Sequence, residues 1–455
     1  MNMSTIIPKN LISLAQNCPF PLYVVGGACR DFLLGFGDAC QDWDVCAPTD
    51  DATFCEVARS CGFVIDGVYK NTGTVKFHKD KDEFEFSCFR NDEYIRGLHS
   101  PSKIYFTDDI TLDAKRRDFR CNAIYYDLNA QKFVDPLGGI DDVKNGIIET
   151  VRQPEKVFGE DGLRLMRLAR QSAETGLVPS PACLSGAKLN ANLIADVSAE
   201  RIFAELCAIL VADQKHGVKD GHYRGLKILK DTGVLKIILP ELALGDGMEQ
   251  NPLYHAHDVL EHCLQCAKFA HPSIRFSALL HDVGKPQVKL KNGNYRNHDV
   301  AGAELSKDIC ARLKAPKKLA KETEELIRLH MYDLNADTSE NKVRRFIVKH
   351  FDLLDKLLLI KQADYSAYKG DLDKSATLKK WDGILKNMKK EGVPFTLKQL
   401  NLRGDDLVCA GVKKDLVGKI LVELLLECST DATLNVREKL VKKALAIEKQ
   451  WQNRY

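Results

Sequence analysis

The chain has 455 residues, 45% of them hydrophobic, which predicts about two to four packed units and excludes a disordered polymer. Basic and acidic residues nearly cancel to +3, so a nucleic-acid partner would be held by local basic patches and not by a global field. With no secretion-type start and no run of about eighteen apolar residues, the sequence predicts a cytoplasmic protein without membrane spans.

From the start of the chain, Leu22–Val25 reads as a strand, Arg30–Leu34 as a helix, Trp43–Cys46 as a strand and Thr53–Cys61 as a helix. Thr74–His78 and Glu83–Phe89 read as a hairpin across a charged turn. Asp92–Asp109 is polar and marked by Gly and Pro, as a loop at a substrate mouth would be. Strands around Ala123–Leu128 and Lys132–Val134 follow, then the turn Asp135-Pro-Leu-Gly-Gly. Beyond Gly146 the pattern is helical, with helices expected at Glu160–Ala173, Ala199–Val211, Asp258–Lys268, Ile274–His281 and Ala301–Leu313. Pro240 and the run after Ala367 mark candidate boundaries.

Fifteen cysteines are scattered without a secretion signal, which favours reduced, mostly buried thiols. Cys263-Leu-Gln-Cys266 has no second pair at zinc-finger distance and reads as structural.

Asp42 and Asp44 flank Trp43, so an extended segment directs both carboxylates to one face of a strand, where they can share a divalent cation. Hard oxygen donors without a nearby His or Cys cluster suit Mg2+, usually completed by substrate phosphates. Glu85, between Phe84 and Phe86, is expected to point away from those rings, toward the two aspartates. Gly26 and Gly27 sit between a strand and a helix, where backbone amides can approach phosphate oxygens, and Arg30 follows. This combination fits phosphoryl chemistry by positioning and charge. In the charged segment 113–123, Arg117, Asp118 and Asn122 are candidate ribose and phosphate contacts. Further on, Arg164, Arg167 and Arg170 share a helix side with Asp161 one turn before Arg164, a set that can read a base edge and hold phosphate.

A second centre of His and Asp is expected later in the chain. His281-Asp282 follows an apolar run, and His255 and Asp364, with His298 and His330 as further candidates, offer mixed imidazole and carboxylate donors for a second divalent metal. The pattern reads as a metal-dependent phosphohydrolase-type site.

Five segments in order resemble the tRNA nucleotidyltransferase and poly(A) polymerase family of the polymerase beta-like superfamily, in its bacterial-type class. They are Gly-Gly-x-x-Arg-Asp at 26–31, Asp-x-Asp at 42–44, Arg-Arg-Asp-Phe-x-x-Asn-Ala at 116–123, Glu-Asp-x-x-Arg at 160–164 and Glu-Arg-x-x-x-Glu at 200–205. The resemblance implies an α+β fold: a nucleotidyltransferase head with a small mixed sheet, then a helical neck, an HD-containing body and a tail. The implied limits are 1–145, 146–215, 216–375 and 376–455. Asp42 and Asp44 would bind Mg2+, and Asp161 and Arg164 would act as an amino-acid template selecting CTP and then ATP. The implied reaction is template-independent addition of CCA to tRNA lacking all or part of it, by a monomer or a homodimer.

Ala28-Cys29 and Arg120-Cys121 depart from residues common in that family but leave the polar groups intact. Tyr94 and Arg96 are of the kind associated with switching from CTP to ATP. CC-adding, A-adding and poly(A)-polymerase activities, and an HD phosphohydrolase, stand as alternatives.

Overall fold

In the computed structural model, which describes residues 3–37, 42–94, 101–250, 256–370 and 373–452, alternating apolar residues build the head around a seven-stranded sheet. Its strands are β1 (Tyr23–Val25), β2 (Trp43–Ala47), β3 (Val64–Tyr69), β4 (Thr74–Lys79), β5 (Asp82–Cys88), β8 (Tyr125–Asp127) and β9 (Lys132–Val134). They lie in the order β3-β4-β5-β2-β1-β8-β9, with β2 and β5 parallel and the other neighbours antiparallel. Trp43, Val45, Phe84 and Phe86 are buried on one face, where Phe86 stacks at 3.7 Å on Phe54 of the helix α3 (Asp51–Ser60). On the other face Val25, Cys46, Phe89 and Tyr125 close a second cluster over α4 (Ile110–Lys115). One face is covered by α3 and the other over β1, β2 and β8, while the Lys76–Glu85 part of that second face stays open, so the sheet is a floor for the ends of β1 and β2.

Two expectations are corrected. The Asp92–Asp109 stretch is not simply a loop: β6 (Arg90–Glu93) pairs antiparallel with β7 (Lys103–Phe106), while residues 95–100 lie outside the described residues. Backbone ladder bonds form this pair, and the run Arg-Asn-Asp-Glu carries no apolar alternation that would announce it. The helix expected over Glu160–Ala173 is two helices, α6 (Pro154–Glu160) and α7 (Leu163–Thr175). Asp161 leaves helical geometry at φ −146°, ψ 110°, and its carboxylate accepts the amide of Leu163. Gly162 is required at this break, because a Cβ there would stand 2.4 Å from the Leu193 carbonyl oxygen.

The remaining elements of this part include α1 (Lys9–Asn17), α2 (Gly27–Leu33), α5 (Gly139–Lys144), α8 (Pro181–Leu189) and α9 (Ala199–Leu210). The chain divides into two units, one running to Leu244 with Ile309–Ala315, the other comprising Gly245–Asp308 and the chain from Pro316. In the second unit, helices enclose a core that includes Leu357, Trp381, Met388, Leu424 and Leu440. The described cysteines are free thiols, and burial pushes the Cys263 thiol up to about 12, which fits a structural role for that pair. No helix among the described residues is long and apolar enough to cross a membrane.

Candidate active site

The register of β1 against β2 sets Val25 opposite Asp44, so the turn leaving β1 passes directly over that carboxylate. Gly26 adopts φ +81°, and a Cβ there would lie 3.3 Å from Asp44 Oδ2. Any larger residue would meet both an unfavourable backbone region and the acid itself. Asp42, Asp44, Gly26 and Gly27 line one cavity of about 770 Å3. Arg30, Arg117, Asp118, Asn122, Asp161, Arg164, Arg167 and Arg170 line it as well, so the expected residues of head and neck come together. A cavity of this size suits a nucleotide-sized ligand.

Glu85 stands apart from this lining. It is in register with Asp44 across the parallel pair β2/β5, hence on the same sheet face, and Lys76 Nζ lies 3.9 Å from its carboxylate. The sequence grouping omitted Arg90, Asp92, Arg116, Gln171, Arg201 and Lys215, which also line the cavity. Motif position could have flagged Arg116 and Arg201. Gln171 carried no signal, because one polar residue in an amphipathic helix looks like ordinary patterning.

The cavity has nine arginine and lysine side chains against six aspartates. That excess favours a polyanionic ligand, and low-dielectric walls strengthen it. Asp44 faces the open cavity yet is crowded by protein. Burial raises its carboxyl above the usual value, opposed by Arg117 and reinforced by Glu85 and Asp42. A hard cation would relieve that strain, so the paired carboxylates fit Mg2+ by donor chemistry and by charge.

Most of the cations are fixed by acids behind them. Asp113, fully buried, accepts from Arg116 Nε at 2.7 Å, Arg117 Nη2 at 3.0 Å and the Tyr125 hydroxyl at 2.7 Å. Arg167 grips Asp118 Oδ2 through Nε at 2.8 Å and Nη2 at 2.6 Å. Burial alone would push the Asp118 carboxyl up, but Arg167 and the Asn122 amide outweigh it and hold it below the carboxylate range. Arg170 is held by Glu205 at 2.7 Å and Glu174 at 3.0 Å. Arg164 donates to the Val157 and Arg116 carbonyls and to Glu160, with its guanidinium over the Tyr94 ring. Asp161 is not one turn before Arg164 in a shared helix, as expected, but sits in the break ahead of α7.

In the second unit, His281, Asp282 and Asp364 meet and are joined by His262, which the sequence reading did not include; the expected His255 lies outside the described residues. His262 Nε2 stands 3.2 Å from His281 Nε2 and 3.0 Å from Asp364 Oδ1. His281 Nε2 is 3.2 Å from Asp282 Oδ2, and at the other oxygen of Asp282 His298 Nε2 is 3.0 Å and His330 Nε2 3.7 Å from Oδ1. His281, His298 and His330 set Nδ1 against the carbonyls of Ala278, Tyr295 and Ile327 at 2.8, 2.8 and 2.6 Å. A carbonyl only accepts, so Nδ1 carries a proton in each ring, and the Nε2 that faces inward is the atom a cation would take when the ring is neutral. Among the described residues the buried Nε2 atoms of His298 and His330 face Asp282 without good hydrogen-bond geometry, a condition a metal ion would satisfy. Gly284 lets the His298 helix start close by, since a Cβ there would be 2.2 Å from the His298 carbonyl oxygen. His262 escaped the sequence grouping because a lone histidine in an apolar helix resembles a core residue; its spacing from His281 is meaningful only once the helices pack.

Comparison with known proteins agrees with this arrangement. Family models match at residues 22–149 ("Poly A polymerase head domain"), 176–244 ("Probable RNA and SrmB- binding site of polymerase A") and 259–357 ("HD domain"). A Deinococcus radiodurans A-adding tRNA nucleotidyltransferase is 30% identical over 371 residues, covering 77% of this chain and 78% of the relative. A multifunctional CCA protein of Azoarcus sp. is 30% identical, covering 65% of this chain and 69% of the relative. The fold is similar to that of the Bacillus stearothermophilus CCA-adding enzyme in complex with CTP, at TM-score 0.68 and 21% identity over 98% of this chain and 99% of that one. It is also similar to the Thermotoga maritima CCA-adding enzyme complexed with tRNA, at TM-score 0.60 and 16% identity over 98% of both chains. The chain belongs to the tRNA nucleotidyltransferase and poly(A) polymerase family, and it is a nucleotidyltransferase with a head of mixed sheet and an HD domain in a helical region.

Proposed function

We propose that this enzyme completes the 3' CCA of tRNA lacking all or part of it, adding nucleotides from CTP and ATP without a nucleic-acid template. The observation that carries the reading is the single cavity in which Gly26, Asp42 and Asp44 meet the arginines of the neck. Relatives named for A addition and for CCA addition, and similar folds described with CTP and with tRNA, support it. A cytoplasmic location agrees with that substrate.

The tRNA 3'-hydroxyl attacks the α-phosphorus; the new bond is oxygen to α-phosphorus, and the bond to the β-phosphate oxygen breaks, releasing pyrophosphate. Asp42 and Asp44 would hold Mg2+, which supplies charge neutralisation and a more acidic hydroxyl when bound. Glu85 shares the sheet face of Asp44 and would orient or deprotonate that hydroxyl. The amides around Gly26 and Gly27, with Arg30, Arg117, Asp118 and Asn122, hold triphosphate and ribose. Arg167 and Arg170 extend the cationic wall. Asp161 and Arg164 read the base edge: among the described contacts Arg164 keeps Nε and one Nη2 hydrogen for a ligand, while Tyr94 braces its plane.

In this reading residues 1–145 are the head, 146–215 the nucleotide-selecting neck, 216–375 the body with the HD domain, and 376–455 the tRNA-binding tail. The test is incubation with Mg2+, labelled CTP and ATP, and tRNAs ending before CCA, after C or after CC, resolved at single-nucleotide length. Stepwise completion establishes the reading; addition of the final A alone assigns the chain to the A-adding type.

The His–Asp cluster supports a second activity, metal-dependent phosphoester hydrolysis. Its donors fall into two groups sharing Asp282, one with His262 and His281 and one with His298 and His330, so each carboxylate oxygen of Asp282 faces a separate candidate ion. Hydrolysis lost with a chelator while nucleotide incorporation resumes on adding Mg2+ alone would separate the two centres.

A further inference from the structure

We propose that Gln171 is a positioning residue for the nucleotide-binding array, fixing the directions in which Arg30 and Asn122 face the incoming triphosphate. The proposal rests on the reading of the cavity as the nucleotide site. Gln171 lies on α7, is buried at 3% exposure and lines the cavity wall.

Its side chain has one orientation only. Oε1 accepts from Asn122 Nδ2 at 2.9 Å and from Arg30 Nη1 at 3.3 Å, and Nε2 faces Asp118 Oδ2 at 3.4 Å. Asp118 is an ionised carboxylate that only accepts, so the amide nitrogen must point toward it and the oxygen toward the two donors. Asn122 is locked in turn: Nδ2 is shared between Gln171 and Asp118 Oδ1 at 2.9 Å, and Oδ1 accepts from Arg30 Nη1 at 2.8 Å.

The consequence falls on Arg30. Both Nη1 hydrogens go to Asn122 and Gln171, and Nε and Nη2 donate to Asp31 Oδ1 at 2.8 and 2.6 Å. Among the described contacts one Nη2 hydrogen is left, and Nη2 lies 3.6 Å from the position a Cβ would take on Gly27. Arg30 therefore presents a single directed N–H at the glycine turn, and Gln171 removes the freedom that would let the guanidinium rotate away from it. No other residue of the neck accepts from both Arg30 and Asn122 among the described contacts. Gln171 thus transmits the position of α7 to the phosphate-facing groups of the head.

Two substitutions separate positioning from support. Gln171→Met keeps length but neither accepts nor donates strongly. Gln171→Glu puts an anionic oxygen against Asp118 at neutral pH, with Arg30 and Arg167 as the nearby cations; when protonated, its hydroxyl donates to Asp118 and restores the glutamine pattern. KM and kcat for CTP and ATP, CTP affinity by calorimetry, tRNA affinity and thermal melts would be measured from pH 6 to 8. Expected for Gln171→Met is a rise in nucleotide KM of about tenfold, with tRNA affinity unchanged. Gln171→Glu should raise nucleotide KM at pH 8, where its carboxylate faces Asp118, and its pH profile is read against that of wild type, because His216, 3.2 Å from the Asp31 that holds Arg30, is itself titratable. A nucleotide KM within twofold of wild type at pH 8 in either folded variant overturns the proposal. Failure of both variants to fold overturns it too, by assigning Gln171 to stability. Wild-type protein that binds no CTP would instead defeat the nucleotide reading beneath it.

Discussion

Replacing Asp113 with Asn should destabilise the head by about 3 kcal/mol at pH 7 and disorder the arginines of the cavity. Asp113 is fully buried and offsets two guanidinium groups, Arg116 and Arg117, while accepting from the Tyr125 hydroxyl and the Arg90 amide. Asparagine keeps the shape but removes the charge and turns one acceptor into a donor facing donors. Loss of one partner from a buried pair costs about 3–5 kcal/mol. The lower figure applies because both arginines reach the cavity, where water can reclaim part of their charge, and Arg116 also lies 4.0 Å from Asp92. For a unit of this size that corresponds to a melting shift of about 6–12 °C. Burial pushes the Asp113 carboxyl up, but Arg116, Arg117 and the Tyr125 hydroxyl hold it well below the usual carboxylate range. A depressed folded-state pKa gives stability above the unfolded value of about 3.9 that is lost as pH falls further, so wild type and variant should converge in acid. Differential scanning calorimetry at pH 7 and near pH 3, resolving the head transition, is the assay. A loss below about 1 kcal/mol at pH 7, or a gap that does not narrow in acid, refutes the reasoning.

Asp42→Ala and Asp44→Ala should each abolish nucleotide addition while tRNA affinity persists, checked by single-nucleotide gels and filter binding; equal turnover at saturating Mg2+ would remove both residues from the reaction. Asp142 is buried with one carboxylate oxygen unpartnered and Arg120 only at 4.0 Å, and burial raises its pKa to about 6. Because that folded-state value lies above the unfolded one, its contribution is present below the unfolded pKa and is lost as pH rises through about 6. Asp142→Asn should therefore gain about 1–2 kcal/mol relative to wild type at pH 8 and little near pH 4, read from urea melts. In the HD region, His262→Ala and His298→Ala should each lower bound transition metal by one ion per chain in elemental analysis, and no change in either would remove the proposed pair of ions.

Six of the seven strands of the head sheet were legible because their apolar alternation has period two, but the edge strand β3, mostly exposed and interrupted by Gly67, was missed, as were α1, α4 and α5; Gly26 and Asp44 are neighbours in space as their motifs suggested. The pairing of β6 with β7 was not legible, since ladder bonds join backbones whatever side chains they carry. The break at Asp161–Gly162 was hidden as well, because helical periodicity runs across it and the carbonyl of Leu193 that demands a glycine is remote in sequence.

By itself the sequence determined the class of chemistry: the spacing of Asp42 and Asp44, the glycine turn and the arginine series are local, and local geometry follows from residue order. Tertiary structure decided how those groups are used. It paired Arg167 with Asp118, placed Gln171 where it meets Arg30 and Asn122, left Glu85 beside the cavity and not in its wall, and brought His262 to Asp364 across 102 positions of chain. Such contacts depend on how helices and sheet pack, and no local pattern encodes which distant donor will meet which acceptor.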